Sequence, residues 1–250
     1  MAQLNNKVAL ITGGGRGLGR AIALAFANAG ADVAVASRTR GQIDEVAAII
    51  RDIGRRALAV QVDVSDPQSI AKMVQATQQE FGRIDILVNS AGISAVERLE
   101  AMSDQTWDEV IKINLYGTFY CCREVVRVMI QQRGGNIINM ASVAGIRGVT
   151  GFSAYGASKG GVIALTQVLA LEVARYHVRV NAIAPGYFRT DMNAATLDDP
   201  EVGPKIVTRI PMRRVGQPEE IGPLAVLLAS DDASFITGEV YCISGGQMAA

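Results

Sequence analysis

One histidine, one tryptophan and three cysteines in 250 residues leave little material for several kinds of chemistry. The lone His177 lies in "ARYHVRV", between a helical and a strand-like pattern, and reads as a surface residue rather than a base. No cluster of His, Cys, Asp or Glu has the spacing of metal ligands, so no metal is expected. An odd cysteine count that includes the adjacent Cys121 and Cys122 makes no disulfide framework, which favours a reducing, cytoplasmic setting. Charge of one sign is missing too. The 24 basic and 24 acidic residues cancel, so no electrostatic footprint points to nucleic acid or an anionic membrane. The opening "MAQLNNKVALIT" has no charged stretch ahead of a long apolar core, which speaks against a signal peptide. No uninterrupted apolar run reaches about 18 residues, so no membrane span is expected. Trp107 and the eight methionines scatter along apolar faces and read as packing.

What is present is a large apolar complement, 49% of residues against 19% charged, enough for one sizeable core spanning 1–250. Short apolar runs alternate with longer amphipathic segments. The runs are "KVALIT" (7–12), "DVAVAS" (32–37), "ALAVQV" (57–62), "DILVNS" (85–90), "NIINM" (136–140), "RVNAIA" (179–184) and "EVYCIS" (239–244). Their near-continuous apolarity suits strands buried on both faces. The helical pattern at 19–30 stops on Gly30. The alternation implies an α/β fold with a doubly wound parallel β-sheet of about seven strands, helices on both faces, three layers in all. The irregular stretch 186–215 is long for a compact domain and reads as a substrate-side lid.

Between the first run and the first helix stands "TGGGRGLG", 12–19, with Gly13, Gly14, Gly15, Gly17 and Gly19. Glycine is costly in conformational entropy, so bare backbone must be needed there. One use is the close approach of a pyrophosphate to a helix N-terminus; the other is a tight strand–helix turn with no ligand. The spacing is not G-x-G-x-x-G, because glycine would be needed at Leu18. It is T-G-x-x-x-G-x-G, carried by Thr12, Gly13, Gly17 and Gly19.

Further motifs follow in order. "SAYGASK" places Tyr155 and Lys159 four apart on one helical face. Ser142 comes just after the strand "NIINM", at the carboxyl edge where ligands bind in such sheets. "NSAG" (89–92) ends the fourth strand at that edge, and Asn114 lies in "KINLYG". With "PGYFRT" (185–190) and a later "GG" (245–246), these motifs resemble the short-chain dehydrogenase/reductase family over essentially the whole chain. That resemblance implies a Rossmann-type fold and a catalytic group of Asn114, Ser142, Tyr155 and Lys159. It implies a cofactor site formed by Gly13, Arg16, Gly17, Leu18, Gly19, Ser37, Arg38, Asp63, Val64, Asn89, Ala91, Gly92, Tyr155, Lys159, Pro185, Gly186, Phe188 and Thr190.

The chemistry can be weighed independently. Ketone reduction needs a hydride on carbon, which a cofactor carries, and a proton on oxygen. A phenol ionises near pH 10, and working near neutrality asks for a fall of about three pH units, roughly 4 kcal/mol. An ammonium about 4 Å away supplies that at an effective dielectric near 20. Lys159 is therefore expected to depress Tyr155 and, by the resemblance, to hold the nicotinamide ribose. Ser142 would fix the substrate oxygen, and Asn114 resembles the residue that keeps a water in a proton relay.

For the cofactor, Ser37 and Arg38 end the second strand where NAD sites usually carry an acid. Arg16 adds a second cation, so NADP(H) is expected, with NAD(H) possible. Asp63 matches the position that contacts adenine. The substrate expected from the resemblance is a 3-oxoacyl thioester, a sugar or polyol, or another small carbonyl compound. Carrier-protein docking would use basic residues near the active-site mouth. Arg133 could be one, but a second such position is Leu171. The resemblance also implies a homotetramer joined through the helices around 103–132 and 154–175, with Cys121 and Cys122 on a helix facing another subunit. Ser244-Gly245-Gly246 departs from the more usual Asp-Gly-Gly. A non-catalytic nucleotide-binding module would be favoured by loss of Tyr155 or Lys159, and both are present. A methyltransferase would want an acid after the second strand, and Ser37-Arg38 speaks against it.

Overall fold

A computed structural model describes residues 3–249. Its centre is one parallel sheet of seven strands in the order β3-β2-β1-β4-β5-β6-β7. The strands are β1 (Val8–Thr12), β2 (Asp32–Ser37), β3 (Ala57–Gln61), β4 (Ile86–Asn89), β5 (Gly135–Met140), β6 (Val178–Pro185) and β7 (Val240–Ile243). Each lies within a residue or two of its expected apolar run. Within β1 alternate side chains serve opposite layers. Ala9 and Ile11 pack with α1 (Gly17–Asn28), α2 (Arg40–Asp52) and α9 (Gly222–Ala229). Leu10 packs with α3 (Pro67–Phe81), α5 (Gly117–Gln132) and α6 (Ser153–Val173). The result is the expected three-layer, doubly wound α/β/α architecture, a Rossmann fold. Strand order reverses between β1 and β4, which opens a crevice at their carboxyl ends.

Helix limits follow local chemistry. α3 opens on Asp66, whose carboxylate accepts from Gln68 N at 2.9 Å, with Pro67 at the first helical position. α1 ends before Gly30, whose φ of +102° only glycine adopts easily. The structure adds detail at three places. The helical region 103–132 is not continuous: α4 (Asp104–Ile111) passes into a π-helical turn, Lys112–Tyr116, before α5. The stretch 186–215 contains two short helices, α7 (Ala194–Asp198) and α8 (Val202–Thr208). Cys121 and Cys122 lie on α5 with their side chains turned inward to the core beneath the sheet. Burial pushes both thiols up, Cys122 to about 12 against its hydrogen bonds with Asn89, which donates, and Asn139, which accepts.

His177 is exposed in a left-handed turn between α6 and β6, as expected. Trp107 is 37% exposed on α4 rather than part of the core. The span Ser153–Tyr176 is long and apolar enough by composition to cross a membrane. In the fold it packs on β5 and β6 and buries Ser158, Lys159 and Thr166.

Candidate active site

The crevice at the switch point has a volume of about 310 Å³ and runs from the end of β2 to α6. Gly13, Arg16, Gly17, Leu18 and Gly19 line one side; Ser37, Arg38, Asp63 and Val64 line the far corner; Ala91 and Gly92 form part of the floor. Ser142, Tyr155, Lys159, Pro185, Gly186, Phe188 and Thr190 close the other end.

The glycines divide into two kinds. At Gly13, φ is +67° and a Cβ would come within 2.7 Å of Ala91 N. At Gly19, a Cβ would collide with the Gly13 carbonyl oxygen. Those two are demanded by the protein's own turn. Gly17 opens α1 with φ +54°, and its nearest neighbour would be Thr190 at 3.5 Å, so its face is open to the crevice. Arg16 at the N-cap makes no capping bond, and the first turn of α1 carries no acid. Its N–H groups and dipole are left for an anion. The bare turn, the free helix end and two cations, Arg16 and Arg38, that make no carboxylate ion pair among the described residues fit a dinucleotide phosphate. Arg40, by contrast, is spent on Asp44 at 2.8 Å.

At the far corner, burial works to raise the Asp63 carboxyl, but hydrogen bonds from Ser65 and the fields of Arg38 and Lys112 bring it below its ordinary value. Arg38 therefore already has an acidic neighbour. Its main chain is fixed by Gln61 Nε2 donating to Arg38 O at 2.9 Å.

At the α6 end, Lys159 is buried and donates from Nζ to Met140 O at 2.7 Å. Burial lowers it to about 8. Its Nζ lies 5.7 Å from the centre of the Tyr155 ring. The Tyr155 phenol is pushed up by burial, with the Ser142 hydroxyl beside it working the other way. In the protein alone burial sets the direction for the phenol, while the Lys159 ammonium is turned to the Met140 carbonyl. The Ser142 hydroxyl also accepts from Ala144 N at 3.1 Å, which holds the loop after β5.

Asn114 does not line the crevice. It is fully buried in the π-helical turn. Oδ1 accepts from Ile93 N at 2.9 Å; Nδ2 donates to Ile93 O at 2.9 Å and to Ser158 Oγ at 3.1 Å. Both amide hydrogens are used, so the side chain acts as a tie between the loop after β4 and α6. A Cβ on Gly92 would stand 3.2 Å from Asn114 Oδ1, a tight contact, and 3.6 Å from Lys159 Nζ.

Asn89, expected against a cofactor, is also absent from the crevice. It lies beneath the floor, donating to Asn139 Oδ1 at 2.8 Å and Cys122 Sγ at 3.3 Å, while its own Oδ1 is buried without a partner. Its neighbour Ser90 lines the crevice instead. The period of two in β4 carried that signal: Asn89 ends the strand pointing inward, so the next residue faces the ligand side. Ile93, Thr39 and Gln42 line it as well. Arg133 is exposed just before β5, at the edge of the sheet opposite the crevice, and Leu171 is 83% exposed on α6. Neither stands at this chain's own active-site mouth. Among the described residues no group of three or more His, Cys, Asp or Glu could hold a metal.

A family model described as enoyl-(acyl carrier protein) reductase matches residues 13–248. The 3-oxoacyl-(acyl-carrier-protein) reductase FabG of Thermotoga maritima is 40% identical over 244 residues, 98% of each chain. Among solved structures, levodione reductase is 38% identical with a TM-score of 0.95, covering 99% of both chains. A xylitol dehydrogenase with bound NAD⁺ is 36% identical, also at 0.95, covering 98% of this chain and 100% of that one.

Proposed function

The chain belongs to the short-chain dehydrogenase/reductase family of NAD(P)-dependent oxidoreductases acting on CH–OH groups, and from that premise we propose that it interconverts a ketone and a secondary alcohol with NADP(H), Tyr155 carrying the proton. The observation that carries this is the meeting of Ser142, Tyr155 and Lys159 at one end of a crevice whose side is the uncapped N-terminus of α1. A dinucleotide would be held by α1 at its pyrophosphate, by Arg38, Arg16 and Asp63 at its adenosine, and by Lys159 and the Pro185–Thr190 loop at its nicotinamide. When bound, it supplies the hydride and, in its oxidised form, a positive charge. Tyr155 gives a proton to the carbonyl oxygen in reduction and takes it back in oxidation. Ser142 holds that oxygen beside the phenol. Lys159, released from Met140 O, brings its charge toward the ribose and Tyr155. Asn114 keeps α6 and the Ile93 loop in register.

The substrate proposed is a 3-oxoacyl compound or another small ketone, on the likeness to the FabG reductase. Docking of a carrier protein at the mouth is not part of the proposal, given where Arg133 and Leu171 lie. A second reading, an NAD-dependent sugar or polyol dehydrogenase, is favoured by the likeness to the NAD⁺-bound xylitol enzyme and by the acid beside Arg38. We place the protein in a reducing, cytoplasmic setting, as its buried adjacent thiols suit, and read 186–215 as the lid of a single domain. A panel of ketones and alcohols assayed with both cofactors tests the function; no turnover with either would reject it.

The NADP(H) preference rests on Arg38. Paired, charge-assisted bonds to a 2′-phosphate contribute about 1.5–3 kcal/mol, a preference of roughly tenfold or more. Arg38→Asp should reverse the ratio of kcat/KM for the two cofactors. If the unaltered protein works better with NAD(H), the second reading stands.

A further inference from the structure

The segment after β7 makes contacts that no part of the reaction above uses. Gly245 and Gly246 have φ of +60° and +92° and let the chain turn back across Ile210 and Pro211. Met212 N donates to Gly245 O at 3.1 Å, which fixes the far end of the 186–215 segment. The chain then buries Gln247, 3% exposed. Its Oε1 accepts from Tyr187 N at 3.3 Å, and it fills the notch left by Gly186, where a Cβ would collide with it. Its main-chain oxygen accepts from Arg147 Nη1 at 2.8 Å, five residues after Ser142. One residue thus touches the loop that follows β6 and the loop that follows β5.

We propose that Gln247 is a positioning residue for the nicotinamide end of the site, an inference that rests on the oxidoreductase reading. The Pro185–Thr190 loop borders the crevice through Pro185, Gly186, Phe188 and Thr190, and Gln247 sets its height over the cleft. Arg147 ties the same residue to the chain that carries Ser142. The segment after β7 therefore couples the wall that confines the nicotinamide to the hydroxyl that confines the substrate. A small displacement between donor carbon and acceptor carbon is costly in rate while binding at the distant adenosine end is untouched.

The test uses the full chain. Gln247→Met keeps the volume and removes the acceptor; Gln247→Glu keeps the acceptor. We expect Gln247→Met to lower kcat roughly tenfold, to speed amide exchange at Tyr187, and to leave the affinity for ADP unchanged, since ADP reaches only α1 and the adenosine corner. Gln247→Glu should restore most of kcat. Arg147→Met, which removes only an exposed tie, should act in the same direction with a smaller effect, and it decides the matter if Gln247→Met fails to fold. An active protein in which these variants leave kcat and exchange unchanged overturns the inference alone. Equal loss of kcat in Gln247→Met and Gln247→Glu, tracking a common fall in Tm, overturns it too. No turnover by the unaltered protein with either cofactor overturns the oxidoreductase reading and this one with it.

Discussion

Two side chains four residues apart on α6 have opposite problems. Tyr155 must lose a proton that burial helps it keep, and Lys159 must keep a charge that burial disfavours. Tyr155→Phe removes the proton carrier and little else, so turnover should all but vanish while dinucleotide affinity stays within a few-fold. Near-normal steady-state rates in that variant would refute the role. Lys159 carries a separate prediction about stability. Its folded value of about 8 lies below its ordinary 10.5. Below pH 8 both folded and unfolded chains are protonated, and the fold bears the full cost of the buried charge. Between 8 and 10.5 the folded chain has released a proton that the unfolded chain still holds, so this group makes stability rise with pH. Lys159→Met removes that dependence. Relative to the parent, the variant should lose about 3 kcal/mol between pH 7 and pH 10.5. Urea unfolding at the two pH values measures it, and a difference that does not change with pH would show that the ammonium is not desolvated. The identity of this pair was legible in the sequence. The direction of the tyrosine's shift was not, because burial sets it, and burial follows only from packing in three dimensions.

At the scale of elements, the strand–turn–helix at 12–19 separates what the fold needs from what a ligand needs. Gly19→Ala pushes a methyl into the Gly13 carbonyl, which is backbone and has no flexible end to give way. It should destabilise the cofactor-free protein by about 1–3 kcal/mol. Gly17→Ala meets only ordinary contact with Thr190 and pays for its left-handed backbone, about 1–2 kcal/mol, but narrows the anion site and should weaken the dinucleotide more. Thermal unfolding with and without cofactor separates the two. If Gly19→Ala alters only cofactor affinity, the close approach serves the ligand after all. The strands were legible to within a residue or two because buried parallel strands are written as apolar runs, and "KVALIT" and "RVNAIA" can hardly be anything else. The π-helical turn at Lys112–Tyr116 was not, since its extra residue is stabilised by Asn114 bonding Ile93 and Ser158, both distant in sequence. α7 and α8 are 5 and 7 residues long, too short to show a period. Gln247 carried no motif, and only packing assigns it a place.

Over the whole molecule, part of the apolar surface left uncovered lies on α4, α5 and α6. α6 buries Val162, Thr166, Leu169, Ala170 and Val173 within the chain, yet Val168 is 54% and Leu171 83% exposed. On α4 to α5, Trp107, Tyr116 and Phe119 are 37%, 50% and 39% exposed. A helix apolar on more than one face needs more than one partner, and this chain supplies only the sheet side. We predict that a second copy supplies the other, giving a homotetramer or at least a dimer. Each large apolar side chain covered contributes about 1.5–3 kcal/mol, so a few on each copy offset the several kcal/mol of lost translational and rotational freedom. Val168→Glu with Leu171→Glu sets two carboxylates against that contact. Because both residues project away from the sheet, neither touches Tyr155, Lys159 or the core. Light scattering at micromolar concentration should give at least twice the chain mass for the parent and a lower mass for the double variant, with circular dichroism unchanged. A parent that runs as a monomer would mean that the outer face of α6 is apolar for some other reason, and that its three aromatic neighbours on α4 to α5 are tolerated in water.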